Sequence, residues 1–323
     1  MKATSPSVLI LGSRFDLTCD YVVAQLCKLG YSYLRLNSED LPALELGLDP
    51  VKATLVVRGT DIFHYLDLRE LKSVFYRRPV FLRDYDEPAY KPFERFQRQQ
   101  WAAFLRNLMV FDTCLWVNHP AATYFAEHKA VQLRVAHKVG FAIPGTIVTN
   151  QESLIPRELS RGGKVVVKGL DTVLMRQGLT ETFGFTQILE RSQLLDEEMN
   201  SAPAVFQEPI VPKLDIRVTV IGSDVFAASI LSGGKPVKGD WREEKARASF
   251  HPYVLPVETR NKCLRLLEDL GLVYGAIDLA LEGDTYYFLE INPTGEWAWL
   301  VDSAGLPIDL ATAKCLVQPT PTT

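Results

Sequence analysis

The chain has 323 residues, 47% hydrophobic and 23% charged, with a net charge of −4; this length predicts two or three α/β subdomains, and the mild acidity leaves no electrostatic footprint for nucleic acid. No apolar run approaches the roughly 20 residues that span a bilayer, and the opening MKATSPSVLILG lacks a signal-peptide layout because its apolar run is too short. The five scattered cysteines, Cys19, Cys27, Cys114, Cys263 and Cys315, contain no C-x-x-C and read as reduced thiols in a cytoplasmic protein, and the five dispersed histidines suggest neither a zinc site nor a Cys-His nucleophile.

Val8 to Gly12 predicts a buried strand, and Thr18 or Asp20 is placed to cap a helix that stops at Gly30. Tyr33 to Leu36 predicts a second strand, so the chain opens with a βαβ unit of Rossmann-like type. It carries no dinucleotide fingerprint, since Gly12 stands alone where G-x-G-x-x-G is required. Thr54 to Arg58 and Ile62 to Tyr65 read as strands around a Gly59-Thr60 turn, and Ser73 to Arg77 as another, stopped by Arg78-Pro79. Arg77 and Arg78 are either an anion site at a sheet end or ordinary surface charge. Tyr90 to Met109 reads as a charged helix that closes the first subdomain.

Trp116 to Pro120 predicts a short extended link, followed by one helix from Ala121 to Val139 with Gly140 after its end. Val131, Val135 and Val139 recur at helical spacing on it, and Lys129 sits near its beginning. Next come a strand from Gly145 to Thr149, a helix near Gln151 to Ser160, and a strand from Lys164 to Lys168. A lysine that ends a buried valine strand needs an anion nearby. The stretch bearing Gly169, Gly178 and Gly184 then reads as a mobile flap, because a loop that long inside a compact domain is usually functional.

Phe206 to Ile210 reads as a linker punctuated by Pro209 and Pro212. In the predicted strand Leu214 to Ile221, alternation places Asp215 and Arg217 on one face. A strand from Val225 to Ile230, the polar segment around Asp240-Trp241-Arg242 and a helix from Glu258 to Leu270 follow. Trp297 and Trp299 read as packing residues, and the PTPTT tail as frayed.

Between that helix and the tail lies a hairpin, Leu272 to Leu300, with acidic side chains in otherwise apolar runs. If its turn has an odd number of residues centred on Asp284, Asp278 lies opposite Glu290 and Asn292 follows two positions on. A two-residue Gly283-Asp284 turn would set Asp278 against Leu289 and break the apolar face, so the odd loop is expected. Two unpaired carboxylates about 5 Å apart repel by roughly 3 kcal/mol at an effective dielectric of 20, which makes a cation the natural occupant. Oxygen-only ligands favour Mg²⁺ or Mn²⁺ over zinc, and a magnesium held by few carboxylates commonly takes phosphate oxygens, hence a nucleotide. The plainer account is a hairpin whose Asp and Glu are solvated or paired with arginines.

In order, the chain offers a lysine, a lysine that ends a strand, a glycine-bearing loop, a linker, a D-x-R strand, an arginine, and D-x11-E-x-N. This series resembles the ATP-grasp superfamily over essentially the whole length. SVFYRRP, WVNHPAATYFAEHKAVQLRVAHKVGFAIPGTIVTN, FQEPIVPKLDIRVTVIG, DWR and FLEINPTGEWAWL are similar, more narrowly, to the microviridin-type graspetide synthetases, which macrocyclise ribosomal peptides. Thr294 and Glu296 depart from the Asn and Gln expected there. The resemblance implies an α/β architecture of α+β subdomains: an ATP-grasp fold with an N-terminal Rossmann-like pre-ATP-grasp domain at 1–115, a central subdomain at 116–206 and a C-terminal subdomain with the metal site at 207–323.

The resemblance also implies roles. Lys129 and Lys168 would neutralise ATP phosphates, Glu208, Pro209 and Ile210 would meet adenine, and Asp215 would face the ribose. Arg217 and Arg242 would hold the transferring phosphate, and Asp278, Glu290 and Asn292 would bind Mg²⁺. Singly, Lys129 and Arg242 read as solvated charges and Asp215 with Arg217 as an ion pair worth 0 to about 1 kcal/mol; their joint order favours the functional reading. The implied reaction phosphorylates an Asp or Glu side chain of a precursor peptide, and a Thr or Ser hydroxyl or a Lys amine then displaces phosphate to give a lactone or lactam. The partner is the leader and core of that peptide, whose leader would meet the acidic run Glu190 to Glu198 unless that run is a solvated face. A homodimer is also implied, although no interface signal stands out. The competing functions are an ATP-grasp ligase that adds an amino acid to a carboxylate and a regulatory nucleotide-binding protein without catalysis.

Overall fold

The computed structural model describes residues 5–60, 62–77, 91–171, 174–177, 180–183, 186–194 and 199–318. Arg78, Pro79, Tyr90, Gly178, Gly184, residues 195–198 of the acidic run and the PTPTT tail lie outside them.

The chain begins with β1 (Val8–Gly12), α1 (Leu17–Lys28) and β2 (Tyr33–Asn37), the expected βαβ unit with parallel strands. All five β1 residues are buried, as a parallel strand covered on both faces must be. The cap is Asp16 rather than Thr18 or Asp20: its carboxylate accepts from Thr18 N at 2.9 Å, because Thr18 and Asp20 already lie inside the helix. An antiparallel meander follows, β3 (Glu45–Asp49), β4 (Thr54–Arg58) and β5 (Phe63–Asp67), whose first strand was not anticipated. Then come β6 (Ser73–Tyr76), α2 (Pro92–Asn107) and β7 (Leu115–Val117), a strand where an extended link was expected. The parallel sheet has the order β2-β1-β6-β7.

The expected helix from Ala121 to Val139 is two, α3 (Pro120–Ala126) and α4 (Lys129–Lys138), broken at Glu127 and His128. Its inward face also differs: Gln132 and Ala136 are buried, whereas Val131 and Val135 are only partly so. Next come β8 (Thr146–Thr149), β9 (Lys164–Lys168), β10 (Leu174–Gln177), β11 (Thr180–Phe183), β12 (Gln187–Glu190) and β13 (Ala204–Gln207). Four of them form the antiparallel sheet β12-β9-β13-β8, and β10 pairs antiparallel with β11 within the stretch expected to be a mobile flap. The helix expected near Gln151 to Ser160 is replaced by single turns at Glu152–Leu154 and Arg157–Leu159, because Pro156 between them cannot continue a helix. Phe206 and Gln207, expected in a linker, belong to β13.

The remaining elements are β14 (Leu214–Ile221), β15 (Asp224–Ser232), β16 (Lys235–Pro236), β17 (Ala248–Pro252), α5 (Val257–Leu270), β18 (Tyr274–Glu282), β19 (Thr285–Asn292), α6 (Ala298–Ala304) and α7 (Ile308–Val317). Their sheet runs β16-β15-β14-β18-β19, with β17 on β15. One face, through Ile216, Val218, Ile277, Leu279 and Phe288, packs on α4 and α5. On the other face the apolar end, Ile221, Tyr274 and Ala276, is covered by Trp297, α6 and α7, and the same core takes in β1 and α1. Trp299 packs at a tilt on Phe250 at 4.3 Å and Trp241 at 5.6 Å, and Trp297 is fully buried, so both tryptophans pack as expected. The polar end of that face, with Asp215, Arg217 and Asp278, is left to the site.

Candidate active site

Asp278 is paired with Glu290 across β18 and β19, but not through the expected odd loop. The turn is the two-residue Gly283-Asp284, with Glu282 opposite Thr285 and Gly283 at φ 58°, a value glycine reaches without strain. The shift of one residue is recovered at a β-bulge, where Leu289 has no partner between Phe288 and Glu290. A bulge places one extra residue in one strand, so a two-residue turn plus a bulge gives the same facing as an odd loop. Asn292 then faces Ala276. The outer side of β19 is held by Gln132, whose Nε2 donates to Ile291 O at 2.8 Å while its Oε1 accepts from Ile291 N at 3.1 Å.

Four cations gather at the carboxylate pair. Arg217 Nε lies 3.0 Å from Asp278 Oδ1. Arg242 Nη2 donates to Asp278 Oδ2 at 3.2 Å and to Glu290 Oε1 at 3.3 Å. Lys129 Nζ donates to Glu290 Oε2 at 3.3 Å. Lys168 closes the group from β9; burial pushes its amine down, opposed first by Glu290. Burial raises the Asp278 carboxyl, and Arg217 and Arg242 offset this only in part. Burial would raise Glu290 too, but Lys129, Arg242 and Lys168 outweigh it and hold that carboxyl well below the ordinary range. The two carboxylates are therefore driven apart in acidity by the same field.

A cleft of about 760 Å³ lies between the β12-β9-β13-β8 sheet and the six-stranded one. Val166, Ile188, Ile210, Leu279 and Leu289 give it apolar walls, Glu208 and Pro209 line it beside them, and Lys168, Asp215, Arg242, Asp278 and Glu290 meet at its polar end. Lys129 and Asn292 instead line a second cleft of about 440 Å³, which Glu290 also borders. Arg217 lines neither; it is buried behind Asp278. Asn292 is exposed, and its Oδ1 accepts from Thr294 N at 3.0 Å and Thr294 Oγ1 at 3.3 Å. Arg77 is buried and paired with Asp16, so it is neither a surface charge nor an open anion site.

Three contributors escaped the sequence reading. Asp240 caps the turn at Trp241 and accepts from Arg242 Nη1 at 3.3 Å, so the Asp-Trp-Arg spacing was the signal. Lys213 pairs with Asp215, whose carboxyl burial pushes up; it stands just before β14, two residues ahead of its partner. Gln132, three residues past Lys129, shares that helix's inward face. Among the described residues no group of three or more His, Cys, Asp or Glu side chains is placed to hold a metal. Two opposed carboxylates and an amide fit a hard divalent cation that draws further oxygens from a phosphate ligand, and do not fit a closed protein cage.

The macrocyclase MdnC of Microcystis aeruginosa MRC, solved with the precursor peptide MdnA, matches with a TM-score of 0.80 at 26% identity, over 98% of this chain and 99% of that one. A peptide-associated ATP-grasp ligase from Chryseobacterium gregarium, solved with ADP and a leader and core peptide, matches at 0.81 and 26%, over 96% of each chain. The chain is an ATP-grasp ligase. A further macrocyclase, MdnB of Microcystis aeruginosa MRC, matches this ATP-grasp ligase at 0.73 and 27%, over 97% and 99%. The graspetide-synthetase resemblance of the sequence is thus matched from end to end in three dimensions. No family model and no curated protein matches the sequence. Among the described residues of this ligase, no helix is long and apolar enough to cross a membrane.

Proposed function

We propose that this ATP-grasp ligase uses ATP and a divalent cation to phosphorylate an Asp or Glu side chain of a ribosomal precursor peptide. A Thr or Ser hydroxyl, or a Lys amine, of the same peptide then closes a ring. The observation that carries this reading is the Asp278–Glu290 pair, ringed by Arg242, Lys129, Lys168 and Arg217, at the polar end of the cleft between the two sheets. A carboxylate cannot expel hydroxide, so activation must come first. Its oxygen attacks the γ-phosphoryl group, ADP leaves, and the acyl phosphate is attacked by the hydroxyl or amine, which releases phosphate. Per ring, the peptide loses one water.

In this reading Arg242 and Lys129 stabilise charge spreading over the transferring phosphoryl oxygens, which is where fixed cations contribute most. Arg217, buried behind Asp278, holds that carboxylate rather than the phosphate. Lys168 takes up phosphate charge from the β9 side, Glu208 to Ile210 meet the base, and Asp215 with Lys213 faces the ribose. Asp278, Glu290 and Asn292 would hold the magnesium, which screens and orients the phosphate oxygens when bound. We further propose the division into parts at 1–115, 116–206 and 207–323, action in the cytoplasm, and a homodimer. Related solved ligases carry precursor peptides and ADP, which supports a peptide partner.

The test is mass spectrometry of the precursor peptide encoded nearest this gene after incubation with the enzyme, ATP and Mg²⁺. Stepwise loss of water is expected. A gain of one amino-acid mass would replace the reading with ligation, and an unchanged peptide beside tight ATP binding would replace it with a regulatory role.

A further inference from the structure

Immediately after Asn292, three successive backbone carbonyls are gripped by buried side chains from elsewhere in the chain. Asn118 Nδ2 donates to Pro293 O at 2.8 Å. Arg77 Nη1 donates to Thr294 O at 3.0 Å and to Gly295 O at 3.2 Å. The Tyr274 hydroxyl donates to Gly295 O at 2.6 Å. Below the loop there is no slack either: a Cβ on Gly295 would lie 2.7 Å from Ala276 Cβ and 3.3 Å from Asn292 Cβ. Above it, Thr294 uses its own N–H and hydroxyl to hold Asn292 Oδ1.

Arg77 is the unusual member of this set. It directly follows β6 of the N-terminal sheet and is 6% exposed, and its charge is met by Asp16 at 3.1 Å. Taking such a pair out of water is costly for each ion, and an apolar substitute often serves stability as well or better. The two parts of the molecule it joins already share an apolar core through Val8, Phe75, Trp297, α6 and α7. Adhesion alone therefore does not account for a buried guanidinium. What the planar guanidinium adds is a fixed direction: with Nε on Asp16, the rigid plane aims Nη1 at both carbonyls.

We infer that Arg77 is a positioning residue for the loop at Pro293–Gly295, which it holds so that Thr294 presents the Asn292 amide oxygen beside the Asp278–Glu290 pair. This rests on the reading of Asp278, Glu290 and Asn292 as a divalent-cation site. The N-terminal sheet then contributes to the metal site without touching it. Partners that orient ligands from behind commonly change metal affinity by 10- to 100-fold when removed.

The test is titration of the full-length enzyme with Mn²⁺ in the presence of saturating ADP, with free Mn²⁺ read by its paramagnetic resonance. Arg77→Lys keeps a charge for Asp16 but has a single nitrogen on a flexible stem where the guanidinium fixes one nitrogen on Asp16 and another on the two carbonyls, and it should weaken Mn²⁺ binding roughly tenfold. ADP affinity without metal should be unchanged, which loss of folding would not allow. Tyr274→Phe removes a single grip and keeps the ring, and it should weaken Mn²⁺ several-fold; it decides the matter if Arg77→Lys does not fold. Unchanged Mn²⁺ affinity in Tyr274→Phe and in any folded Arg77→Lys, beside a lowered melting temperature, would reduce Arg77 to a structural link and overturn the inference. A wild-type enzyme that binds no Mn²⁺ with ADP would overturn it together with the metal-site reading. Failure of peptide dehydration alone, with the Mn²⁺ shifts as expected, strikes the proposed reaction and leaves this inference standing.

Discussion

Two charged clusters lie on either side of Arg77, which pairs with Asp16 of the first and holds the loop beside the second, and they use the same residue types differently. At the carboxyl ends of β1 and β2, Ser13, Asp16, Arg35, Asn37, Glu39 and Asp40 form a closed network: Ser13 Oγ donates to Glu39 at 2.7 Å, Arg35 Nη2 to Ser13 O at 2.7 Å, and Asn37 Nδ2 to Asp40 at 2.8 Å. Many of these partners are backbone groups or short side chains, which cannot move away without unfolding a turn. At the head of β18 and β19, by contrast, Asp278 and Glu290 are met at 3.0 to 3.3 Å by the tips of Arg217, Arg242 and Lys129, and all but Arg217 border a cleft. Long flexible cations hold the carboxylates in place and can turn toward an incoming phosphate. The first cluster is built to stay satisfied, and the second to exchange partners.

The contrast is broken most severely by removing a mobile cation. Arg242→Met should lower peptide dehydration by about 10³-fold, the scale of losing a group that stabilises the transition state, with ADP affinity within a few-fold of wild type; steady-state assay beside nucleotide titration checks both. In the closed network the cost appears as stability instead. Asp16→Ala deletes the α1 cap and strands the buried Arg77, and it should lower the unfolding free energy by about 3 kcal/mol in urea melts. The smallest effect is expected at Glu39. Burial would raise its carboxyl, but hydrogen bonds from Ser13 and from the Glu39 and Arg14 backbone N–H groups hold it down to about 2. A depressed carboxyl stabilises the fold above its unfolded range near pH 4 to 5 and loses that contribution as pH falls toward 2. Glu39→Gln should therefore flatten the acid limb of the melting curve by less than about 1 kcal/mol, since the side chain is exposed.

The same contrast marks what the sequence made legible. The βαβ opening, the lysine-ended valine strand, the Asp215-x-Arg217 strand and the facing of Asp278 with Glu290 all follow from alternation and burial, which are local properties. The hairpin illustrates the limit: alternation constrains only the parity of turn plus bulge, so an odd loop and the observed turn with Leu289 bulged out are equivalent in the pattern. The break at Glu127 and His128 carries no proline or glycine to announce it, whereas Pro156 did announce the loss of the helix around it. Contacts such as Arg77 to Thr294, 217 positions apart, leave no periodic trace at all.

The central claim is that the peptide's own carboxylate becomes the acyl phosphate, and oxygen transfer tests it most directly. A precursor whose Asp and Glu side chains carry heavy oxygen should release phosphate bearing one heavy oxygen for every water lost from the peptide, with both signals absent in Glu290→Gln. Rings that close while the released phosphate stays unlabelled would contradict it.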